Sequence, residues 1–257
     1  MVYWLQADEN IMDIVIAAAG KGTRLQGYTA DIPKHIIPIA GKPFLYYLLD
    51  AVVTAGFRRV FVVGGHFVDK LRAAVAAYET DTEMIVVDQV EVLGADRYGT
   101  ACPLLAVQSQ LQGDRFVYTM GDHLLSTVDL QAMQQSTADS LVAVTEHDQP
   151  ERYGVIEYTP NHTLRQIVEK PEHPKSNDIN VGLYTLTRDL FQTLSLVQPS
   201  ARGELEITDA INVFAKNHTV RLVRLQQPWM DLGRPEDIAS LEQYLQPQSV
   251  WSAYVPE

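Results

Sequence analysis

The sequence predicts an α/β fold, a three-layer α/β/α sandwich around a mixed, mainly parallel sheet, with a small β-hairpin lobe added. Two observations carry this. Short β-branched runs alternate with helically spaced apolar residues almost from end to end, which is how successive βαβ units read. The alternation then breaks once, after residue 150, where two short strands flank the turn signal Pro160-Asn161.

The elements follow in order. A first strand is expected at Asp13-Ile-Val-Ile-Ala-Ala-Ala-Gly20, and a long loop follows it. Phe44, Leu45, Leu48, Leu49, Val52 and Val53 then recur at three- and four-residue spacing, with Pro43 at the start and Gly56 at the close, which predicts a helix. Strands are expected at Arg59–Gly64, Met84–Asp88, Arg115–Met120 and Ser140–Thr145, with helices near Val68–Tyr78 and Ala101–Leu111 and a short one before Ser140. The hairpin pairs Gly154–Thr159 with Leu164–Glu169. A strand at Asn180–Leu186, helices near Asp189–Val197 and Glu206–Asn217, a strand at Val220–Leu225 and a helix from Pro235 to about Leu245 complete the chain. No repeat or Gly/Ser/Pro-rich linker divides it. The expected organisation is one domain at 13–247, an N-terminal extension at 1–12 and a tail at 248–257.

Composition excludes several classes. A chain of 257 residues, 46% hydrophobic and 20% charged, can bury a large core and is neither disordered nor fibrous. The single cysteine, Cys102, cannot close an intrachain disulfide, and Met1–Asn10 holds no basic residue, so a reducing, cytoplasmic setting is expected. No apolar run approaches the length of a membrane span, so no membrane partner is expected. With 32 acidic against 20 basic side chains and a net charge of −12, the chain lacks the basic face of a nucleic-acid binder.

The loop after the first strand departs from that average. Between Gly20 and Pro43 stand Lys21, Arg24, Lys34 and Lys42 against Asp31 alone, a local +3, and such focusing attracts anions. Small residues in Ala17-Ala-Ala-Gly-Lys-Gly-Thr-Arg24 let backbone amides approach a phosphate closely. Two familiar phosphate loops do not fit. Leu25 stands where a dinucleotide-binding fingerprint needs its third small residue, and Tyr28 follows Gly27 where a P-loop needs lysine.

Gly20-x-Gly-Thr-Arg-Leu25, then Pro33-Lys34, then Pro38-x-x-Gly-Lys-Pro43 resembles the nucleotide-binding signature of the sugar-1-phosphate nucleotidyltransferases. Six further landmarks follow in order: Gly121-Asp122, Tyr153-Gly-Val155, Glu169-Lys-Pro171, Asn180–Tyr184, Gly203–Asp209 and Trp229–Gly233. The likeness covers about residues 12–245.

The resemblance implies a Rossmann-like nucleotidyltransferase fold. It also implies transfer of a nucleoside monophosphate from an NTP to a sugar 1-phosphate, whose oxygen attacks the α-phosphorus in line. Carried over by motif, the backbone of Ala18, Gly20, Gly22 and Thr23 holds the nucleotide, with Gln89 and Gly99 at the base. Arg24 neutralises the leaving pyrophosphate, and Lys34 contacts the α-phosphate. Asp122 sits past a buried strand, at the carboxyl edge where open α/β sheets bind ligands. As a hard oxygen ligand it suits Mg²⁺, with Asp231 as the second metal carboxylate. Tyr153, Gly154, Glu169, Lys170 and Asn180 correspond to the family's sugar-phosphate contacts, and 202–209 to a structural segment.

The sequence departs from the pattern in three places. Gly27 replaces a usual proline and Ala19 a common glycine. Gln89 and Gly99-Thr100-Ala101 stand ten apart, farther than in the family, across an acidic stretch from Glu79 to Asp96 that reads as a solvated face, and the sequence leaves open whether it alters base choice. The seven histidines are scattered, so zinc is not expected, and Cys102 reads as a small core residue. The amino-terminal signature alone also fits transfer to phosphocholine or inositol phosphate. A silent regulatory subunit of the same fold would lack Arg24, Lys34 or a metal carboxylate. The short stretch after the last helix predicts no second activity, and the sequence leaves a homo-oligomer open.

Overall fold

A computed structural model describes residues 12–20, 22–200 and 202–246. Lys21, the extension before Met12 and the tail at 248–257 lie outside them. The chain runs β1 (Asp13–Ala17), 3₁₀ turns at Thr23–Thr29 and Lys34–Ile36, β2 (Pro38–Ile39), β3 (Lys42–Pro43) and α1 (Phe44–Ala55). It continues through β4 (Arg59–Gly64), α2 (Val68–Ala76), β5 (Glu83–Asp88), α3 (Gln89–Leu93), α4 (Cys102–Val107), β6 (Arg115–Met120), β7 (His123–Leu124), α5 (Thr127–Gln135) and β8 (Ser140–Glu146). The last part holds β9 (Gly154–Tyr158), β10 (Leu164–Glu169), β11 (Asp178–Thr187), α6 (Leu190–Leu194), α7 (Ile207–Phe214), β12 (Val220–Arg224), β13 (Met230–Asp231) and α8 (Pro235–Leu245).

The main sheet runs in the order β10-β9-β11-β6-β1-β4-β5, with β8 branching from β11 and carrying β12. Strands β6, β1, β4 and β5 are parallel, and β11 is antiparallel to β6. All five residues of β1 are buried, as a strand covered on both faces requires. Ile14 and Ile16 pack toward Leu45, Leu48 and Leu49 of α1, while Val15 and Ala17 pack toward Leu104 of α4 and Ile211 of α7. Each fully buried Val, Leu or Ile among them stabilises the fold by roughly 1.5–3 kcal/mol relative to exposure. This is the expected three-layer α/β/α fold, and among the described residues no helix is long and apolar enough to cross a membrane.

Expected and observed elements differ where small side chains or turns are involved. Strand β1 stops at Ala17 rather than Gly20, because the last ladder bonds are Ala18 N–H to Val63 and Gly121 N–H to Ala17. The long loop expected from 20 to 43 is largely ordered into 3₁₀ turns and the β2–β3 ladder. A third apolar cluster, Leu25, Ile37, Ile39 and Phe44 against Leu124, Leu232 and Leu241, holds it down. Helix α4 covers only Cys102–Val107 of the 101–111 expected. Helix α3, inside the acidic stretch, was not expected; Asp88 caps it by accepting from the N–H groups of Val90 and Glu91. The hairpin forms as read. Asn212 of α7 clamps its outer strand, donating to the Ile167 carbonyl at 2.8 Å and accepting from the Ile167 N–H at 2.7 Å.

Candidate active site

A cleft of about 780 Å³ opens at the carboxyl ends of the parallel strands, where open α/β sheets place their ligands. Three structural units form its walls.

The first wall is the loop after β1. Gly22 adopts φ +63° and starts the turn at Thr23–Thr29; a Cβ there would meet the Thr29 methyl at 3.0 Å. Thr29 Oγ1 donates to the Gly22 carbonyl at 3.1 Å, and Leu25 anchors the turn in the third apolar cluster. Gly20, Gly22, Thr23 and Arg24 all line the cleft. Ala18 does not: its side chain is buried in the core, and its N–H donates to the Val63 carbonyl at 2.8 Å. Its neighbours Ala17 and Ala19 take the lining positions instead. The stretch from Gln89 to Ala101 closes the same end. Gln89 is 2% exposed and its Oε1 has no hydrogen-bond partner. Gly99 holds φ +128°, and a Cβ on it would stand 2.4 Å from the Leu205 backbone, so only glycine fits.

The floor carries the charges. Lys34 ion-pairs with Asp122, each about one-sixth exposed. The two-residue β7–β13 ladder pairs His123 with Asp231, and Leu232 N–H donates to the Asp122 carbonyl at 2.8 Å. That ladder brings Asp122 and Asp231, remote in sequence, to one cleft. Burial pushes the Asp122 carboxyl up, but the Lys34 ammonium together with His123 and His35 more than offsets it and holds the group well below the usual carboxylate range. Burial instead dominates at Asp231, reinforced by the Asp122 and Asp237 charges, and raises it. His35, 1% exposed beneath this pair, is pushed down to about 3 by burial and by Lys34, so it is neutral.

Two carboxylates facing one cleft fit a divalent cation of the Mg²⁺ type, which takes one or two protein carboxylates and completes its shell with water and phosphate oxygens. Among the described residues no group of three or more His, Cys, Asp or Glu is placed to hold a metal alone. The site therefore has the donor set of a phosphate-sharing cation.

The third wall is the hairpin lobe with β11. Lys170 N–H donates to the Tyr153 carbonyl at 2.9 Å, and a Cβ on Gly154 would meet Glu169 Oε2 at 3.2 Å and Asn180 Cβ at 3.5 Å. Tyr153, Gly154, Glu169, Lys170 and Asn180 thus converge on one end of the cleft. Lys170 is held at φ +45°, an uncommon conformation for a non-glycine residue that clusters at functional sites. Its Nζ lies 3.6 Å from Glu169 Oε1, both half exposed, a pair worth little to stability and open to a ligand.

Every sequence-predicted site residue except Ala18 therefore lines the cleft. The sequence reading missed His35, Tyr184, Arg202, Glu206 and Trp229, which line it too. Trp229 stands edge-on to both His123 and Tyr153, at 5.2 and 5.7 Å between ring centroids. Glu206 accepts from Thr100 Oγ1 at 3.1 Å and from Arg202 at 2.7 Å, tying the 202–209 segment to the Gly99 loop. Tyr184, Glu206 and Trp229 lie in the landmark motifs and Arg202 adjoins one, which was the available signal; His35 stands beside a lysine in an otherwise apolar run. Cys102 is fully buried, and burial pushes its thiol up to about 11, as for an inert core cysteine.

A family model described as nucleotidyl transferase matches residues 13–248. The UTP–glucose-1-phosphate uridylyltransferase AglF of Haloferax volcanii is 33% identical over 93% of this chain and 98% of its own length. A bifunctional sugar-1-phosphate nucleotidylyltransferase/acetyltransferase of Sulfurisphaera tokodaii is 31% identical over 94% of the chain, which spans only 57% of that protein. Among solved structures, a Bacillus anthracis protein described as a candidate glucose-1-phosphate thymidylyltransferase superposes with a TM-score of 0.78 at 26% identity, covering 91% of this chain and 94% of that one. A UDP-glucose pyrophosphorylase complexed with UDP-glucose gives 0.76 at 24% identity, over 91% and 98% of the two chains.

Proposed function

The chain belongs to the nucleotidyl transferase family, and on that premise we propose that it transfers a nucleoside monophosphate from an NTP to a sugar 1-phosphate, forming an NDP-sugar and pyrophosphate. One observation carries this reading. The phosphate-loop residues Gly20, Gly22, Thr23 and Arg24 and the acceptor group Glu169, Lys170 and Asn180 face one cleft from opposite walls, with Lys34, Asp122 and Asp231 between them. A cleft so arranged holds two phosphorylated substrates in line across a central charge site.

The reaction needs positioning and charge stabilisation rather than covalent help from the protein. Backbone amides of Gly20, Gly22 and Thr23 cradle the triphosphate, and Gln89 and Gly99 meet the base. Lys170 holds the acceptor phosphate, Glu169 and Asn180 accept and donate to sugar hydroxyls, and Tyr153 and Gly154 shape the same pocket. Lys34 contacts the α-phosphate as the acceptor oxygen forms its bond there. Arg24 stabilises the charge that builds on the leaving pyrophosphate as the α–β bridge breaks. Asp122 and Asp231 would hold Mg²⁺, which when bound neutralises phosphate charge at the reacting centre.

The Haloferax relative makes UTP with glucose 1-phosphate the first pair to test. The protein, supplied with Mg²⁺, is incubated with each of UTP, dTTP, CTP, ATP and GTP and a panel of sugar 1-phosphates, with phosphocholine and inositol phosphate as non-sugar acceptors. Pyrophosphate release and the nucleotide product are measured. Release with a sugar 1-phosphate is expected. Release only with a non-sugar acceptor, or with no pair at all, overturns the reading.

A further inference from the structure

Two buried tyrosines, one of which lines the cleft, stack across neighbouring strands between its nucleotide end and its acceptor end. Tyr118 of β6 and Tyr184 of β11 are cross-strand neighbours, 0% and 1% exposed. Their rings stack at 6.2 Å between centroids and 14° between planes. Each directs its hydroxyl to a different substrate region. Tyr118 Oη donates to the carbonyl of Thr100, beside Gly99 at the nucleotide end. Tyr184 Oη accepts from Asn180 Nδ2 at 2.7 Å at the acceptor end.

The backbone of β11 is shaped for the second contact. Residues four apart on a straight strand lie about 13 Å from each other, too far for a short amide to reach at an ideal pleat. The ladder with β8 shifts register between Asn180 and Tyr184, the bulge that re-aims side chains beside active sites. Gly182 takes φ +67° within it, and a Cβ there would strike His123 and Met120 at 2.9 Å. The bulge also turns the Gly182 N–H onto Asn180 Oδ1 at 3.2 Å. Both ends of the Asn180 amide are thus fixed. One N–H goes to Tyr184 and one lone pair to Gly182, leaving one N–H and one lone pair in a set orientation for a ligand.

We propose that Tyr184 is a positioning residue for the acceptor, acting through Asn180, and that the stacked Tyr118–Tyr184 pair couples this contact to the Gly99–Thr100 loop. The inference rests on the proposed transfer to a sugar 1-phosphate. Removing the Tyr184 hydroxyl frees the Asn180 amide to rotate, while the ring and its stacking stay. The acceptor contact then weakens by about one hydrogen bond, roughly tenfold in affinity.

The test compares steady-state kinetics of the wild type, Tyr184→Phe, Tyr118→Phe, the double Phe variant and Asn180→Ala with and without Tyr184→Phe, alongside thermal unfolding of each. Tyr184→Phe is expected to raise KM for the sugar 1-phosphate about tenfold, with KM for the NTP within about twofold and the melting temperature near that of the wild type. In the Asn180→Ala background the same substitution is expected to add nothing, because its route to the acceptor is already cut. The double Phe variant is expected to fall short of the product of the single effects by about threefold or more, as coupled residues do. Unchanged acceptor KM in an active, folded Tyr184→Phe overturns the positioning role, as does equal loss for both substrates in step with lost stability. Strict multiplicativity overturns the coupling. An inactive wild type fails the proposed function instead, so the two failures are distinguishable.

Discussion

Two ion pairs, one buried and one partly exposed, stand at opposite ends of the same sheet and do different work. At the amino ends of the strands, Asp13 is 0% exposed, and both its oxygens lie 3.0 Å from Arg59 Nη1. The Gln112 N–H adds a third bond at 2.7 Å, and the other Arg59 donors reach Glu83 and the Gln110 carbonyl. At the carboxyl ends, Lys34 meets Asp122 on the wall of an open cleft, with the second Asp122 oxygen 3.7 Å from His123. The first pair is saturated by the protein and the second is not. A buried charge whose hydrogen-bonding capacity is filled internally holds the fold, whereas one with unused capacity facing a cleft is available to a substrate.

The largest effect that would sharpen this contrast is at the open pair. Asp122→Asn keeps the shape and removes the charge proposed to hold the cation, so turnover is expected to fall about a thousandfold, with the melting temperature little changed. Near-normal activity would return Asp122 to a structural role. The closed pair should respond in the reverse sense. Asp13→Ala removes the buried carboxylate partner of the Arg59 guanidinium, which is mostly buried and keeps only Glu83 and the Gln110 carbonyl, and is expected to cost about 3 kcal/mol in denaturant unfolding. Activity per folded molecule should stay near wild type. A loss of activity without a loss of stability would break the comparison.

The same contrast explains what the sequence reveals. The parallel core is legible because strands such as Arg59–Gly64 and Arg115–Met120 are continuous apolar runs between turn residues, and their bounds match those read from sequence. The cleft residues are legible because Gly99, Gly154 and Asp122 sit in ordered motifs. What escapes is set by tertiary contacts. Helix α3 depends on a cap from Asp88, in a run that reads as a solvated acidic face. The β7–β13 ladder is two residues long and carries no periodic signal, yet it places Asp231 beside Asp122. Ala18 enters the expected site only through the motif resemblance, and pairing with Val63 uses its N–H. His35 lies in none of the motifs, and only the fold brings it to the cleft.

A smaller effect is expected from the cation of the open pair. Lys34 ion-pairs with Asp122, so it competes with a divalent ion for the same carboxylate. Lys34→Met should bind Mn²⁺ about tenfold more tightly in the absence of nucleotide, since a close opposite charge is removed from the metal's site. Direct titration with Mn²⁺ followed by electron paramagnetic resonance reads this without any turnover. Weaker binding in the variant would mean that Lys34 shapes the carboxylate site rather than competing for it.

The smallest effect concerns the closed pair and tests whether its saturation is complete. Burial raises the Asp13 carboxyl above its ordinary value of 3.8, and the Gln112 N–H and Arg59 offset this only in part. The folded chain therefore holds the Asp13 proton more tightly than the unfolded chain does. Stability from this group must fall as pH rises through the window just above 3.8, because there the unfolded state binds fewer protons than the folded one. Asp13→Asn keeps an acceptor for Arg59 and cannot ionise. The stability of the wild type relative to this variant, from urea unfolding at a series of pH values, should therefore be greatest on the acid side and decline through that window. A relative stability that climbs with pH instead would show that Arg59 outweighs burial, and that the closed pair contributes its Coulombic attraction in full.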